Sequence, residues 1–325
     1  MDAIKVISPG GYTTIQDRGR FGFQHMGIPV SGALDNFSFE MANFLVGNQA
    51  NLPVMEITVI GPCLEIRQEM NIALTGAKME ITINDIVVEQ WCSIRVKPGD
   101  IINIGQIESG CRSYLGFSGG IDVPEVMGSF STYVQGVIGG LKGRALQKDD
   151  TLGTCRATLS NKTQRVPGKF IPDYPCDIIV RTIPGPQDDY FDDGINTLFS
   201  SQYMVTAKAN RMGYRLQGDS ISIKADSPKS IISEPSMPGS IQIPPDEQPI
   251  ILFVEQTVGG YAKIGTVISS DLRLVAQTTP GDTIQFEQID LNTSHNIFIE
   301  EQKKINTIKE IISKDCAKDC ACMRK

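Results

Sequence analysis

Along most of the chain, apolar and polar residues alternate over a few positions and then stop at Gly, Pro, Asn or Asp. MEITI (79–83), IVVEQWCSIRV (86–96), DIINIG (100–105), DIIVRTI (177–183), SISIK (220–224), PIILFV (249–254) and DTIQFE (282–287) follow this pattern. A period of two sends successive side chains to opposite faces, and β-branched residues suit a pleated, half-buried surface, so these runs predict short strands. The helical period surfaces twice. Leu34, Phe37, Met41, Phe44 and Leu45 recur at spacings of three and four ahead of Gly47, which predicts an amphipathic helix over 33–46. A more polar stretch, Ile299 to Lys314, carries Ile305, Ile308 and Ile312 in one stripe. The pattern therefore predicts a mainly β protein with few short helices.

A polar, proline-bearing stretch without periodicity near residues 158–174 predicts a domain boundary. The expected organisation is an N-terminal β domain over 1–160, a C-terminal one over 175–298, and a helical or disordered tail over 299–325. The halves share an ordered set of anchors. SIRVKPGD (93–100) pairs with SIQIPPDE (240–247), Gly119-Gly120 with Gly259-Gly260, and ALQKDDTL (145–152) with VAQTTPGDTI (275–284). The spacings differ, which excludes a tandem solenoid and leaves two related barrel-like domains, or turns that reuse the same residues.

Composition narrows the function classes. The 325 residues are 41% hydrophobic and 21% charged, as in a globular protein with a core large enough for two domains. The formal net charge of -7 argues against a nucleic-acid or anionic-membrane partner, both of which need a basic footprint. No apolar run reaches the roughly 18 residues of a membrane span, and MDAIKVISPGGY carries an acid at position 2 and no apolar export core. The expected compartment is the cytoplasm. There, the 8 cysteines read as reduced thiols rather than a disulfide framework. Cys316, Cys320 and Cys322 crowd the tail but lack the fourth ligand that a structural zinc wants, and only His25 and His295 are available elsewhere, so no metal centre is expected.

Three segments concentrate candidate chemistry. In GGYTTIQDRGRFGFQHMGIPVSGALD (10–35), Arg18 and Arg20 offer forked donors for a carboxylate or phosphate, with Asp17 placed to orient one of them; a structural Arg–Asp pair pinning a loop reads the same residues equally well. In KANRMGYRLQGD (208–219), Arg211 and Arg215 flank a Met-Gly-Tyr and suit either an anion or ion pairs on a strand edge. In residues 236–282, Gln256, Thr257, Gly259, Gly260 and Lys263 share one loop, whose paired glycines free backbone amides for a polar ligand. GFSGGIDVP (116–124) is its first-half counterpart, with Ser118, Gly119, Gly120 and Asp122. None of these is a Walker loop or a dinucleotide fingerprint.

Taken in order, TTIQDRGRFG (13–22), GIPVSGALD (27–35), MANFLVGN (41–48), GFSGGIDVP, GSFSTY (128–133), NRMGYRL, GSIQIPPDEQPIILF and QTVGGYAKIG resemble the allophanate-hydrolase-subunit-2, or KipA, family of biotin-dependent carboxyltransferases, over nearly all of residues 1–288. The resemblance implies two cyclophilin-like β-barrel domains. Members of this length are similar to the C component of a three-component 5-oxoprolinase, which opens the lactam of 5-oxo-L-proline to L-glutamate at the expense of ATP. It implies partners: a KipI-like B component and a LamB/YcsF-like A component. On that reading Asp17, Arg18, Arg20, Asp35, Arg211, Arg215 and Lys263 are the candidate catalytic groups. Ser118, Gly119, Gly120, Gln242, Gln256, Thr257, Gly259 and Gly260 are the candidate substrate-binding groups. Val258 and Ala262 stand where relatives more often carry Thr and Pro. Two other functions fit the same resemblance: carboxyl transfer to a urea-like amide with biotin carried on another chain, and non-catalytic antagonism of a KipI-like kinase inhibitor.

Overall fold

The computed structural model describes residues 2–155, 159 and 163–322, with side chains as far as residue 313. The tail cysteines singled out above lie outside the described side chains. The chain divides into two units: Met1–Arg20, Ser31–Asp173 and Gln302–Lys325 form the first, and Phe21–Val30 with Tyr174–Glu301 the second. Three boundaries thus differ from the sequence expectation. Residues 21–30 go with the second unit, the 163–173 stretch stays with the first, and the tail from Gln302 also joins the first.

The first unit is a 10-stranded sheet organised by two long strands, Met70–Ile83 and Ile101–Phe117. They pair antiparallel from Ile72↔Phe117 to Ile83↔Ile102, with register shifts between Gly76 and Ile81. Extra residues in one strand bend the ladder and raise its twist. Gly76 makes this bend, because its φ of 91° is left-handed and a Cβ there would stand 2.4 Å from the Arg112 carbonyl oxygen. The bend lets Ile101–Phe117 serve two further partners, Cys63–Ile66 near its start and Val54–Thr58 near its end. Ile4, Ile57, Leu64, Ile72, Ile102 and Leu115 meet in the core this creates, each 0% exposed. The run 86–96 is not one strand: it splits into Ile86–Val88 and Ile94–Val96, with Trp91 at φ 59° between them.

The early helix runs Asn36–Leu45, starting later than the periodicity suggests. Ser31 and Gly32 have positive φ, and Asp35 caps the helix by accepting from the Ser38 amide at 3.0 Å and the Ser38 hydroxyl at 2.7 Å. The predicted polar helix is longer than 299–314, spanning Leu291–Cys322. Asp290 starts it by accepting from the Thr293 amide at 2.8 Å. Its isoleucine stripe is a true packing face: Ile305, Ile308 and Ile312 cluster with Phe37, Met41 and Trp91, while Lys309 pairs with Glu40.

The second unit is a closed barrel. Its strands run, by neighbour, Asp177–Pro184, Ala262–Val267, Ser240–Ile243, Ile250–Leu252, Gly213–Gln217, Gln202–Val205 and Thr283–Gln288, and the last pairs in parallel with the first. Ile241, Ile251, Ile264 and Ile284 point inward at 0% exposure. A two-stranded ribbon, Glu234–Pro235 against Val258–Gly259, lies outside this barrel. SISIK is not a strand; Ile221 is buried and its amide donates to the Glu247 carbonyl, but the segment joins no ladder. The expected mainly β architecture of two barrel-type domains is the observed one. No helix among the described residues is long and apolar enough to cross a membrane.

Burial of the isoleucine stripe generates a prediction. Ile308→Ala removes a fully buried side chain and should cost about 2–5 kcal/mol in denaturant unfolding, whereas Lys304→Ala on the exposed face should stay within about 0.5 kcal/mol. Equal effects would mean that the helix is not docked as described.

Candidate functional site

The N-terminal motif folds around a buried carboxylate. Asp17 is 0% exposed. One of its oxygens accepts from the Gly19 amide at 2.8 Å and the Ser129 hydroxyl at 2.7 Å, and also from the Ser131 hydroxyl. The other accepts from the Phe130 amide at 2.8 Å. Asp17 therefore ties the TTIQDRGRFG loop to the GSFSTY loop and has little capacity left for proton transfer. Arg20, also 0% exposed, donates to the Val126 carbonyl at 3.0 Å and the Ser131 carbonyl at 2.9 Å. Desolvation holds its pKa down, with Asp17 opposing. Arg18 points to solvent and pairs with Glu40 at 3.5 Å. Of the two readings left open for this segment, the packing displays the loop-pinning one. His25 is exposed on a short turn, Gln24–Met26.

Four more candidates have structural duties in the same unit. Asp35 is the helix cap described above, and its amide donates to the Tyr114 hydroxyl, which in turn donates to the buried Glu56 at 2.9 Å. Desolvation, with Glu56 and Asp35 nearby, pushes the Tyr114 phenol well up. Ser118 exchanges bonds with Asn71 through its amide and hydroxyl. The Gly119 amide donates to Asn48 at 2.7 Å and the Gly120 amide to the Phe117 carbonyl at 2.9 Å. With both amides engaged, this glycine pair is a turn and no anion cradle.

The second unit gathers a different set. Arg211 is buried in an ion pair with Glu255 at 2.6 Å. Gln256 closes its own loop through the Val258 carbonyl at 2.6 Å, and the Thr257 carbonyl accepts from the Ser236 amide at 3.0 Å. The decisive geometry is a row across the barrel. A bulge puts Lys263 opposite Gln242, Gln242 lies opposite Ile250, and Ile250 opposite Arg215. Directly paired residues share a face, so this row is the outward one; its neighbours Ile241, Ile251 and Tyr214 fill the core. Over Lys263 and Gln242, however, that face is not wet, and each is 4% exposed.

Around them a polar cluster closes. Lys263 donates to Glu234, which also accepts from Gln187 at 3.2 Å, and the Gln187 side-chain oxygen accepts from the Lys263 amide at 3.0 Å. The hydrogen bond from Lys263 holds the Glu234 carboxyl below its usual range, desolvation opposing and Gln187 adding. Two buried polar atoms here have no partner among the described residues: the Gln242 amide nitrogen and the Ser236 hydroxyl. Both converge on Gly259, where a Cβ would stand 2.0 Å from the former and 3.0 Å from the latter. Buried donors left unmade cost free energy, so an ordered water, an ion or a ligand completes the bonding of such a pair. A lysine ammonium, a primary amide and a hydroxyl out of water are suited to hold a carbonyl or carboxylate oxygen and to stabilise charge that develops on it. We take Lys263, Gln242, Ser236, Glu234, Gln187 and Gly259 as the candidate site. Sequence reasoning reached Lys263, Gln242 and Gly259 but missed Glu234, Ser236 and Gln187. The only sequence signal for Glu234 and Ser236 was their place beside the glycine-flanked strand 240–243; Gln187 carried none. Among the described residues, no cluster of three or more His, Cys, Asp or Glu side chains is placed to hold a metal ion.

Two measurements test these assignments. Asp17→Ala strands the donors that converge on it and should cost about 3–5 kcal/mol of stability; a loss below about 1 kcal/mol would contradict the loop-tying role. The Glu234 carboxyl, followed by NMR titration, should titrate below the ordinary glutamate value in the native protein and return toward it in Lys263→Met. Because the folded value is the lower one, the stability this pair adds is complete above the unfolded value and is lost as pH falls through the folded one. An unchanged titration in Lys263→Met would refute the pairing.

Known proteins share both units. Residues 26–288 match the family model described as carboxyltransferase domain, subdomain A and B. The C subunit of the 5-oxoprolinase of Escherichia coli (strain K12) is 37% identical over 302 residues, 92% of this chain and 96% of that protein. The urea amidolyase of Saccharomyces cerevisiae is 34% identical over 91% of this chain but only 17% of its own length. The crystal structure of the Kluyveromyces lactis urea amidolyase superposes with a TM-score of 0.89 at 33% identity, covering 94% of this chain and 20% of that one. With the match running through both barrel-type units, the chain belongs to the carboxyltransferase-domain family, subdomains A and B.

Proposed function

We propose that this chain is the C component of an ATP-dependent 5-oxoprolinase, a hydrolase that opens the lactam of 5-oxo-L-proline to L-glutamate. The observation that carries the reading is the end-to-end correspondence with the C component of a known 5-oxoprolinase, 92% of one chain against 96% of the other, where the urea amidolyases contain the same region as a minor part. The candidate site supports it chemically. Lactam opening builds negative charge on the amide oxygen; Gln242 and Ser236 are donors converging on Gly259, and Lys263 stands opposite Gln242 in the ladder. Glu234 holds the ammonium in position and, once released from it, accepts a proton.

On this reading ATP is bound together with the partner proteins, a KipI-like B component and a LamB/YcsF-like A component. This chain's residues do not fit it in the first glycine pair, whose amides are already engaged. The expected compartment is the cytoplasm. A second reading, carboxyl transfer to a urea-like amide from biotin on another chain, is favoured by the likeness to the urea amidolyase structure.

Reconstitution separates the two. With all three components mixed, ATP-dependent glutamate formation from 5-oxoproline should require this chain, and Lys263→Met or Gln242→Leu should lower kcat by about 10²–10³-fold with folding intact by circular dichroism. Undiminished activity without this chain would overturn the proposal. Urea carboxylation with a biotin-carrier partner, in place of lactam opening, would support the second reading.

A further inference from the structure

The outward row that begins at Lys263 ends at Arg215, three strand spacings away, or about 14 Å. There the face opens into a separate cleft of about 520 Å³, within the usual size range of small-molecule sites. Its walls are the loop 206–208, the strand end 215–218 and the loop 246–250. Three charged side chains line it: Arg215, Lys208 and Asp246. All three are exposed, and none makes an ion pair among the described residues.

The charges that line the cleft decide which anion it can take. A nest of free N–H groups is one way to hold phosphate, while side-chain forks take phosphate and carboxylate alike. Here the Thr206 amide donates to the Arg215 carbonyl at 3.0 Å, the Leu216 amide to the Pro249 carbonyl at 2.9 Å, and the Lys208 amide to the Thr206 hydroxyl at 3.3 Å. The Gly218 amide donates to the Gln248 side chain at 2.9 Å and the Gln248 amide to Asp246 at 3.4 Å. With these five amides engaged, recognition rests mainly on the side chains. A guanidinium fork matches a carboxylate with two bonds, and the lysine supplies a second, point-like positive charge. Asp246 would repel a simple polyanion and calls for a cation on the ligand. Two carboxylates and one ammonium on a small frame describe one chemical class.

We propose that this cleft binds an acidic amino acid, one carboxylate on Arg215, the other on Lys208 and the ammonium on Asp246. Pro249 and Ile250 form its apolar floor. The site is distinct from the Lys263 cluster, and binding to it is read without any enzymatic assay, so its failure and the failure of the 5-oxoprolinase reading are separable.

Calorimetric titration of the full chain tests it with four probes: L-glutamate, L-glutamine, glutarate and inorganic phosphate. L-Glutamate should saturate a single site, and each of the others, lacking one charged contact or the carboxylate shape, should bind at least about tenfold more weakly. Arg215→Leu should abolish the L-glutamate signal, and Lys208→Ala, on an exposed loop and harmless to folding, should weaken it about tenfold. Asp246→Asn should bring L-glutamate down to the level of glutarate. No saturable L-glutamate binding overturns the proposal, and so does glutarate or phosphate binding as tightly as L-glutamate, or wild-type affinity in Lys208→Ala.

Discussion

A polar atom withdrawn from water has to find a partner inside the protein, and the layout of this chain follows from how that demand is met or left open. β-Barrels put alternate side chains out of water, so every charge that falls on a covered face must be paired. Asp17 meets the demand with amides and hydroxyls from two loops, Glu56 with Tyr114 and the Leu34 amide, and Arg211 with Glu255. These groups are charged and buried, yet their bonding is spent on holding the chain together. Arg20 too keeps one nitrogen without a partner among the described residues; what sets the Lys263 cluster apart is that two such atoms, on Gln242 and Ser236, converge on Gly259.

Backbone shape serves the same end. The long strands of the first unit fold over their own core only because Gly76 permits the bulge, which lets one strand carry three ladders. In the second unit the bulge beside Ile241 brings Lys263 opposite Gln242. Without that shift, regular pairing would carry Lys263 one position along and break the row that joins it to Arg215. Gly259 adds the close approach, since any side chain there would occupy the space of the Gln242 amide. An irregularity in the ladder and a missing Cβ thus build the site as much as the side chains do.

The outward row also gives the second barrel two chemically unlike ends. One is dry, with donors closed under a ribbon; the other is an open cleft lined by exposed charges. Burial makes hydrogen bonds strong and costly to leave unmade, which suits a reacting group. Exposure weakens each ionic contact, so a ligand in the open cleft has to satisfy several charges at once.

Alternation and turn residues determined by themselves that the chain is mainly β in two parts; the isoleucine stripe was visible too, but sequence left the tail as helical or disordered, and its docking came from tertiary packing. Lys263, Gln242 and Gly259 were also legible, because a lysine and paired glycines beside buried strands are locally unusual. Local sequence did not separate Asp17 and Arg20, which brace loops, from Lys263, which belongs to the candidate site; the difference lies in partners more than a hundred positions away, Ser129, Phe130 and Ser131. Nor did it reveal Glu234, Ser236 and Gln187, which sit in short segments of no strong period. Which buried group is satisfied and which is still waiting for a partner is a property of contacts between distant strands, and only the tertiary structure decided it.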